Sequence, residues 1–183
     1  MRHCKRGSGM TTAGTGVLPA QMLRALIADG TIGADPAIDP AQVQPASLDL
    51  RLGRTAWRVR ASFLAGHGNS VAQRLDSFEM HRFSLDDGAV LERGCVYVVP
   101  LVERLRLPAD VSAVANAKSS TGRLDLLTRV ITDDGTEFDR VAAGYDGPLY
   151  AEICPRSFSV LVRPGMRQQL RGRHLRLLQE REA

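Results

Sequence analysis

The sequence predicts a mainly β domain, a sandwich, jelly roll or small barrel, opened by one short helix. Three observations carry this. Short strand-like segments follow one another from residue 79 onward, each closed by Gly, Pro or Asp. Only one segment has a convincing helical period, whereas a parallel α/β fold needs helices between its strands. No apolar run approaches the ~20 residues needed to span a bilayer; the longest candidate, Val96 to Val102, is broken by Pro100.

The helix comes first. In residues 18–30, LPAQMLRALIADG, Leu18, Met22, Leu23, Leu26 and Ile27 fall on one face. Pro19 suits its first turn and Gly30 its stop. Residues 31–46 read as a Pro- and Asp-rich loop. SLDLRLG (47–53) alternates strictly, so a half-buried strand is expected, with Leu48, Leu50 and Leu52 inside and Ser47, Asp49 and Arg51 outside. Residues 61–75 read as loop. The strand-like segments then follow: EMHRFSL (79–85), AVLE (89–92), CVYVVPLVERLRL (95–107), SAVANAK (112–118), DLLTRVITD (125–133), LYAEICP (149–155) and SFSVLVRP (157–164).

Length and charge narrow the function classes. A chain of 183 residues makes one domain, or at most a small two-part unit, and buries a core without disulfides or metal. The net charge of +4 lies at the ends: residues 1–9 carry +3, residues 163–183 carry +4, and the 153 between them sum to −3. With aromatics at 5% and scattered, there is no basic, aromatic-studded face for nucleic acid, and no nucleic-acid partner is expected. Cys4, Cys95 and Cys154 form no C-x-x-C and read as reduced thiols of a cytoplasmic protein. Residues 1–17 lack the apolar stretch of a secretory signal, and an N-terminal extension over 1–16 is expected to be disordered, with Met10 as a second candidate start. His3, His67, His81 and His174 stand in no metal-ligand spacing, so no protein-held metal and no catalytic zinc is expected. A P-loop, a G-x-G-x-x-G and a G-x-S-x-G elbow are all absent from the sequence.

Three segments carry chemistry. AKSSTGR (117–123) places Lys118, Ser119, Ser120 and Arg123 within six residues, with Thr121 and Gly122 allowing a turn. Two cations, two hydroxyls and backbone donors suit a polyphosphate, although many solvated polar loops share that composition. In GPLYAEICP (147–155) Glu152 is the single carboxylate of an apolar strand. It reads either as a partly desolvated general base or as an acid on an exposed sheet face; on spacing alone the exposed acid is the commoner case. In RPGMRQQL (163–170) a Pro-Gly turn precedes Gln168 and Gln169, either of which could present an amide to a base edge or simply face water.

Together these segments resemble the dCTP deaminase family of the dUTPase-like fold. The opening helix followed by QVQPASLDLRLG (42–53), AKSSTGRLDLL (117–127), GYDGPLYAEI (144–153) and RPGMRQQL (163–170) match it in order across residues 18–170. The resemblance implies a distorted jelly roll or β-barrel with a short N-terminal helix over residues 17–178, followed by a tail over 179–183. It implies a hydrolase that deaminates dCTP to dUTP in pyrimidine deoxynucleotide metabolism. Glu152 would be the general base, and Ser119 and Arg123 would position base, water and phosphates. Lys118 and Ser120 would contact the triphosphate, Thr132 and Asp133 would lie along pyrimidine and sugar, and Tyr145 and Gln169 complete the expected substrate contacts. Mg²⁺ would arrive on the triphosphate, the assembly would be a homotrimer, and dUTP and dTTP are further candidate ligands.

Departures from the pattern keep two other readings open. Ala142 stands three residues before Tyr145, where a dUTPase would carry its water-activating aspartate; Asp133, Asp134 and Asp139 nearby still allow a dUTP pyrophosphatase or a bifunctional deaminase–pyrophosphatase. The long segment between Asp133 and Tyr145 resembles the first half of the family's two-repeat form. GRHLRLLQEREA (172–183) lacks the segment that covers the nucleotide in that family, so a truncated chain serving as a non-catalytic nucleotide-binding or assembly half is the third expectation.

Overall fold

A computed structural model describes residues 16–117, 125–166 and 173–179. The elements are β1 (Gly16–Val17), α1 (Ala20–Ala28), β2 (Ile32–Ala34), a 3₁₀ turn (Pro40–Gln42), β3 (Val43–Gln44), β4 (Ser47–Asp49) and β5 (Thr55–Val59). They continue with α2 (Val71–Phe78), β6 (Glu79–Ser84), β7 (Ala89–Leu91), β8 (Val96–Arg106), β9 (Val111–Ala117), β10 (Leu126–Thr132), β11 (Arg140–Val141), β12 (Asp146–Pro155), β13 (Val160–Val162) and β14 (Arg173–Gln179). The fold is mainly β, as expected.

Two six-stranded antiparallel sheets and a two-stranded ribbon make up the domain. The first sheet runs β11-β9-β14-β4-β3, with β1 on β14; the second runs β10-β12-β8-β5-β6, with β2 on β8; β7 and β13 form the ribbon. The core has three parts. Leu48, Leu105, Leu149, Leu175 and Leu177 fill the first, against which Leu23 of α1 packs. The second lies around Leu85, Leu91, Ile153 and Val162, and so includes the ribbon. The third gathers Val71 and Leu75 of α2 with Val98, Ile131 and Tyr150. Val98 and Val99 are both fully buried but belong to different parts, so the second sheet is covered on both faces. A strand covered on both faces loses its alternation, and this explains the continuous apolar run of β8.

Pro100 sits inside β8, where it lacks an N–H for the ladder. There β8 changes partner on one edge: Val96–Val98 pair with β5, Leu101 bridges Leu52, and Glu103–Leu105 pair with β2. Gly53 donates its N–H to the Pro100 carbonyl at 2.8 Å. A Cβ at Gly53 would lie 2.8 Å from that carbonyl oxygen, so only glycine fits.

The structure departs from expectation in four places. Residues 71–78 form α2, where the composition of 61–75 predicts a loop. Ser70 accepts from the Gln73 N–H at 3.2 Å and Gln73 Oε1 accepts from the Ser70 N–H at 2.8 Å, a complete capping box. The strand expected over 47–53 ends at Asp49, and Arg51 is buried rather than solvent-facing. Its guanidinium and backbone N–H both reach Glu103, a carboxylate 52 residues away that no local pattern reveals. The helix expected over 18–30 spans Ala20–Ala28; the Asp29 N–H closes it on the Ala25 carbonyl and the Gly30 N–H on the Ile27 carbonyl. Residues 173–179 form a central strand of the first sheet, and Gln179, the first residue of the expected tail, pairs with Gly16.

Candidate active site

Glu152 lies on β12, the strand between β10 and β8. Its register partner on β10 is Arg129. Directly opposed, oppositely charged side chains on neighbouring strands are within reach of each other, and here they pair. Arg129 donates from Nε at 3.0 Å and from Nη2 at 2.5 Å, both to Glu152 Oε1. Nη2 also reaches Ser62 Oγ at 3.0 Å, and the guanidinium carbon stands 3.8 Å from the Phe138 ring centroid. The Glu152 side chain is 2% exposed and that of Arg129 27%. Glu152 is therefore buried, and the exposed-acid reading of its strand falls.

The other carboxylate oxygen, Oε2, is buried and has no hydrogen-bond partner among the described residues. Leaving such an atom unpartnered costs about 1–3 kcal/mol, and a native structure rarely tolerates it without a use. Chemically the arrangement is a base with one oxygen held and one oxygen free to accept a proton.

Thr132, Asp133 and Tyr145 come together at a second place. They line a groove of about 400 Å³ with Ser112, Arg140 and Ala142. Thr132 pairs with Leu149 in the register, three residues from the Arg129–Glu152 pair, or about 10 Å along the strands at ~3.3 Å per residue. Glu152 is not among the groove residues. The structure thus sets the expected base about 10 Å, one and a half repeats of the pleat, from the expected pyrimidine and sugar contacts. Ser119, Arg123, Lys118, Ser120 and Gln169 lie outside the described residues.

Backbone contacts occupy much of the groove's polar inventory. Tyr145 donates its hydroxyl to the Pro148 carbonyl at 2.5 Å and accepts from the Asp133 N–H at 3.3 Å. Gly147 is required beneath it, because a Cβ there would stand 2.6 Å from the Tyr145 hydroxyl. Burial, and then the nearby Asp133 carboxylate, push the Tyr145 hydroxyl well above the ordinary tyrosine range, so it remains a donor. Asp133 Oδ1 accepts from the Val71 N–H at the start of α2 at 2.7 Å, and Asp134 Oδ1 from the Gly68 N–H at 2.6 Å. Asp139 Oδ1 accepts from the Val130 N–H at 2.7 Å, while its own N–H reaches the Val130 carbonyl at 2.8 Å. Each of the three aspartates that kept a pyrophosphatase in view holds a loop or strand edge.

Sequence reasoning missed Arg129, Ser62 and Phe138. One signal was available: Arg129 is the single cation of LLTRVIT as Glu152 is the single carboxylate of LYAEICP. Two such strands set antiparallel invite a pair.

Comparison with known proteins places this geometry. The profile of the 2'-deoxycytidine 5'-triphosphate deaminase (DCD) N-terminal domain matches residues 14–176. A crystal structure of 2'-deoxycytidine 5'-triphosphate deaminase from Agrobacterium tumefaciens superposes with a TM-score of 0.85 at 54% identity, covering 90% of this chain and 48% of that one. The "dCTP deaminase, dUMP-forming" of Acidothermus cellulolyticus is 33% identical over 58% of this chain and 54% of its own length. The protein of the same name from Thermobifida fusca is 30% identical over 79% of this chain and 70% of its own length. The chain therefore spans about half the length of the Agrobacterium and Acidothermus proteins that it matches. Profile, fold and relatives agree, and the chain belongs to the 2'-deoxycytidine 5'-triphosphate deaminase (DCD) N-terminal domain family.

Proposed function

We propose that this chain deaminates dCTP to dUTP, a hydrolytic step in pyrimidine deoxynucleotide metabolism, with Glu152 as general base. One observation carries the reading: a buried carboxylate with one oxygen tied and the other unpartnered, inside a fold shared with dCTP deaminases. Water adds to C4 of the cytosine ring. Glu152 Oε2 accepts one water proton and returns it to N3; it then carries the proton of the new C4 hydroxyl to the amino group, so that the C4–N bond breaks, the C4 carbonyl forms and ammonia leaves. The balance is dCTP plus water giving dUTP plus ammonia. A positioned base contributes about 10²–10⁴-fold to such a step.

The remaining assignments rest on the sequence motifs. Ser119 orients the water or holds the ring, and Arg123 balances charge and anchors phosphate. Lys118 and Ser120 contact the triphosphate, which arrives with its Mg²⁺, and Gln169 faces the base. Thr132, Asp133 and Tyr145 shape the adjoining groove. Binding energy from the phosphates, remote from C4, would orient the ring for attack. A homotrimer in the cytoplasm is the assembly and location this reading carries.

A second reading has its own support. The Acidothermus and Thermobifida relatives are named as dUMP-forming, which favours a chain that also cleaves the α–β phosphate bond. Against it, Ala142 stands where a dUTPase aspartate is expected, and Asp133, Asp134 and Asp139 are engaged by backbone N–H groups.

Product analysis separates the readings. The purified chain is incubated with Mg²⁺ and either dCTP or dUTP, and ammonia, dUTP, dUMP and pyrophosphate are resolved. The expected result is ammonia with dUTP accumulating, lost by about 10²–10⁴-fold in kcat in Glu152→Gln with dCTP binding retained. Pyrophosphate with dUMP supports the bifunctional reading. No turnover of either nucleotide removes the enzyme reading and leaves an assembly half.

A further inference from the structure

We infer that Arg129 is the positioning residue for Glu152: by tying Oε1 it assigns the proton transfer to Oε2. The inference rests on the deaminase reading of Glu152 and goes beyond it, since no sequence motif assigned Arg129 a role.

An arginine fork facing a carboxylate ordinarily takes both oxygens, one donor to each. Here Nε and Nη2 converge on Oε1 alone, at 3.0 and 2.5 Å. Two other contacts set that angle. Phe138 lies against the guanidinium with its centroid 3.8 Å from the central carbon, close enough for a cation–π attraction. Ser62 Oγ takes Nη2 at 3.0 Å. Ser62 follows β5 and Phe138 precedes β11, so two segments far apart in sequence fix the arginine plane. Glu152 is 2% exposed and cannot turn toward solvent to relieve its orphan oxygen.

A purely structural pair would be built differently, and the same molecule shows how. Glu103 has donors on both oxygens: Gln42 Nε2 and Arg51 Nε on Oε1, and the Arg51 backbone N–H on Oε2. The Glu152 pair leaves open the atom that a general base needs. The fixed plane keeps Oε2 aimed in one direction, as a proton acceptor within ~0.5 Å of productive geometry must be.

The test compares the wild type with Arg129→Gln, Arg129→Lys and Phe138→Leu, each checked for a cooperative thermal transition. In steady-state dCTP deamination, Arg129→Gln is expected to lower kcat at least about 10-fold while KM moves less than about threefold, the split of an interaction that matters in the transition state. Arg129→Lys should restore part of the lost kcat but not all of it, because one donor returns to Oε1 while the planar fork does not. Phe138→Leu should leave KM near the wild-type value and lose kcat. A folded Arg129→Gln with wild-type kcat overturns the inference.

A second readout does not need turnover. The nitrogen-15 resonance of the Arg129 Nε–H should be slow to exchange with solvent in the wild type and fast in Glu152→Ala. If the wild type releases no ammonia but this contrast is present, the deaminase reading fails while the fixed pair stands. If the contrast is absent, the pairing itself fails whatever the turnover.

Discussion

Two buried carboxylates, each paired to an arginine, differ in how completely their oxygens are partnered. Glu103 is fully buried and Glu152 is 2% exposed, so burial does not distinguish them. Their oxygens do. Glu103 accepts from Gln42 Nε2 at 2.9 Å, from Arg51 Nε at 2.7 Å and from the Arg51 N–H at 2.8 Å. Its partners are satisfied in turn. Gln42 Nε2 reaches the Asp49 carbonyl at 2.8 Å, and the Arg51 guanidinium reaches the Ala37 and Pro36 carbonyls at 3.1 and 2.8 Å. This network joins the 3₁₀ turn, the end of β4 and the middle of β8, and it draws on Gln42 and Arg51 of the QVQPASLDLRLG segment. At Glu152 every described donor sits on one oxygen. The same pair of residue types, buried to the same degree, is complete in one place and open in the other, and the open one is the candidate for chemistry.

The largest expected effect comes from the complete network. Glu103→Gln keeps the shape, but both oxygens of Glu103 face donors. Whichever way the amide turns, its NH₂ opposes an N–H and the buried Arg51 loses its counter-charge. Breaking a buried pair in this way costs about 3–5 kcal/mol. Urea unfolding should show that loss with little change in the slope against denaturant. A cost below ~1 kcal/mol would mean that the network is not what separates Glu103 from Glu152.

The sequence disclosed these two regions unequally. Alternation and punctuation located the strands of the second half, because Gly, Pro and Asp close most of them and the apolar runs are long. Alternation misled at Arg51, since a strand pattern sends every second residue to water and nothing within ten residues announces Glu103. The helix α2 was missed for a related reason. VAQRLDSF buries only Val71 and Leu75, one pair at i and i+4, which is a weak period, and its sharper signal was the Ser70–Gln73 capping box. At the site, Glu152 was legible as a lone acid in an apolar strand and as part of a motif. Arg129 stood out as the lone cation of its strand, but its pairing with Glu152 needed the strand register, because a cation 23 residues before an acid has no local reason to meet it. Thr132, Asp133 and Tyr145 could be picked out from the motifs, but that they line one groove, and that Asp133 and Tyr145 engage backbone groups, belongs to tertiary structure.

Tyr145 tests the comparison with a neutral group, at an intermediate expected size. Its hydroxyl is satisfied as donor and as acceptor, like Glu103, but carries no charge. Tyr145→Phe removes both bonds and leaves the Asp133 N–H and the Pro148 carbonyl to find other partners, a cost of about 1–3 kcal/mol. The tyrosine also carries a pH signature. Burial raises its folded-state titration above that of the unfolded chain, and burial does the same for Tyr97 and Tyr150. Below the unfolded tyrosine range, near pH 10, both states hold the proton and the contribution is intact. Above it the unfolded chain releases protons that the folded one keeps, so stability falls as pH rises. Alkaline unfolding should therefore begin near pH 10, and the slope of stability against pH should be shallower in Tyr145→Phe. An unchanged slope would show that Tyr145 is not held as the described bonds require.

The smallest expected effect on stability is at Glu152, and it is the most informative. Glu152→Gln can place its carbonyl oxygen where Oε1 now accepts from Arg129 and its NH₂ where Oε2 has no partner. No donor is set against a donor. The charge removed is that of a buried acid whose arginine is 27% exposed and can be compensated by water. The unpartnered oxygen's cost also disappears with it, to be replaced by a similar cost for an unpartnered amide. These terms nearly cancel, and a change within about 1 kcal/mol is expected, of either sign. Substitution at a residue held for activity commonly leaves stability intact or raises it. Denaturant unfolding of Glu152→Gln beside Glu103→Gln reads the contrast directly. Equal losses in the two variants would make Glu152 a second structural carboxylate, and the search for the proton acceptor would then move to the groove around Thr132, Asp133 and Tyr145.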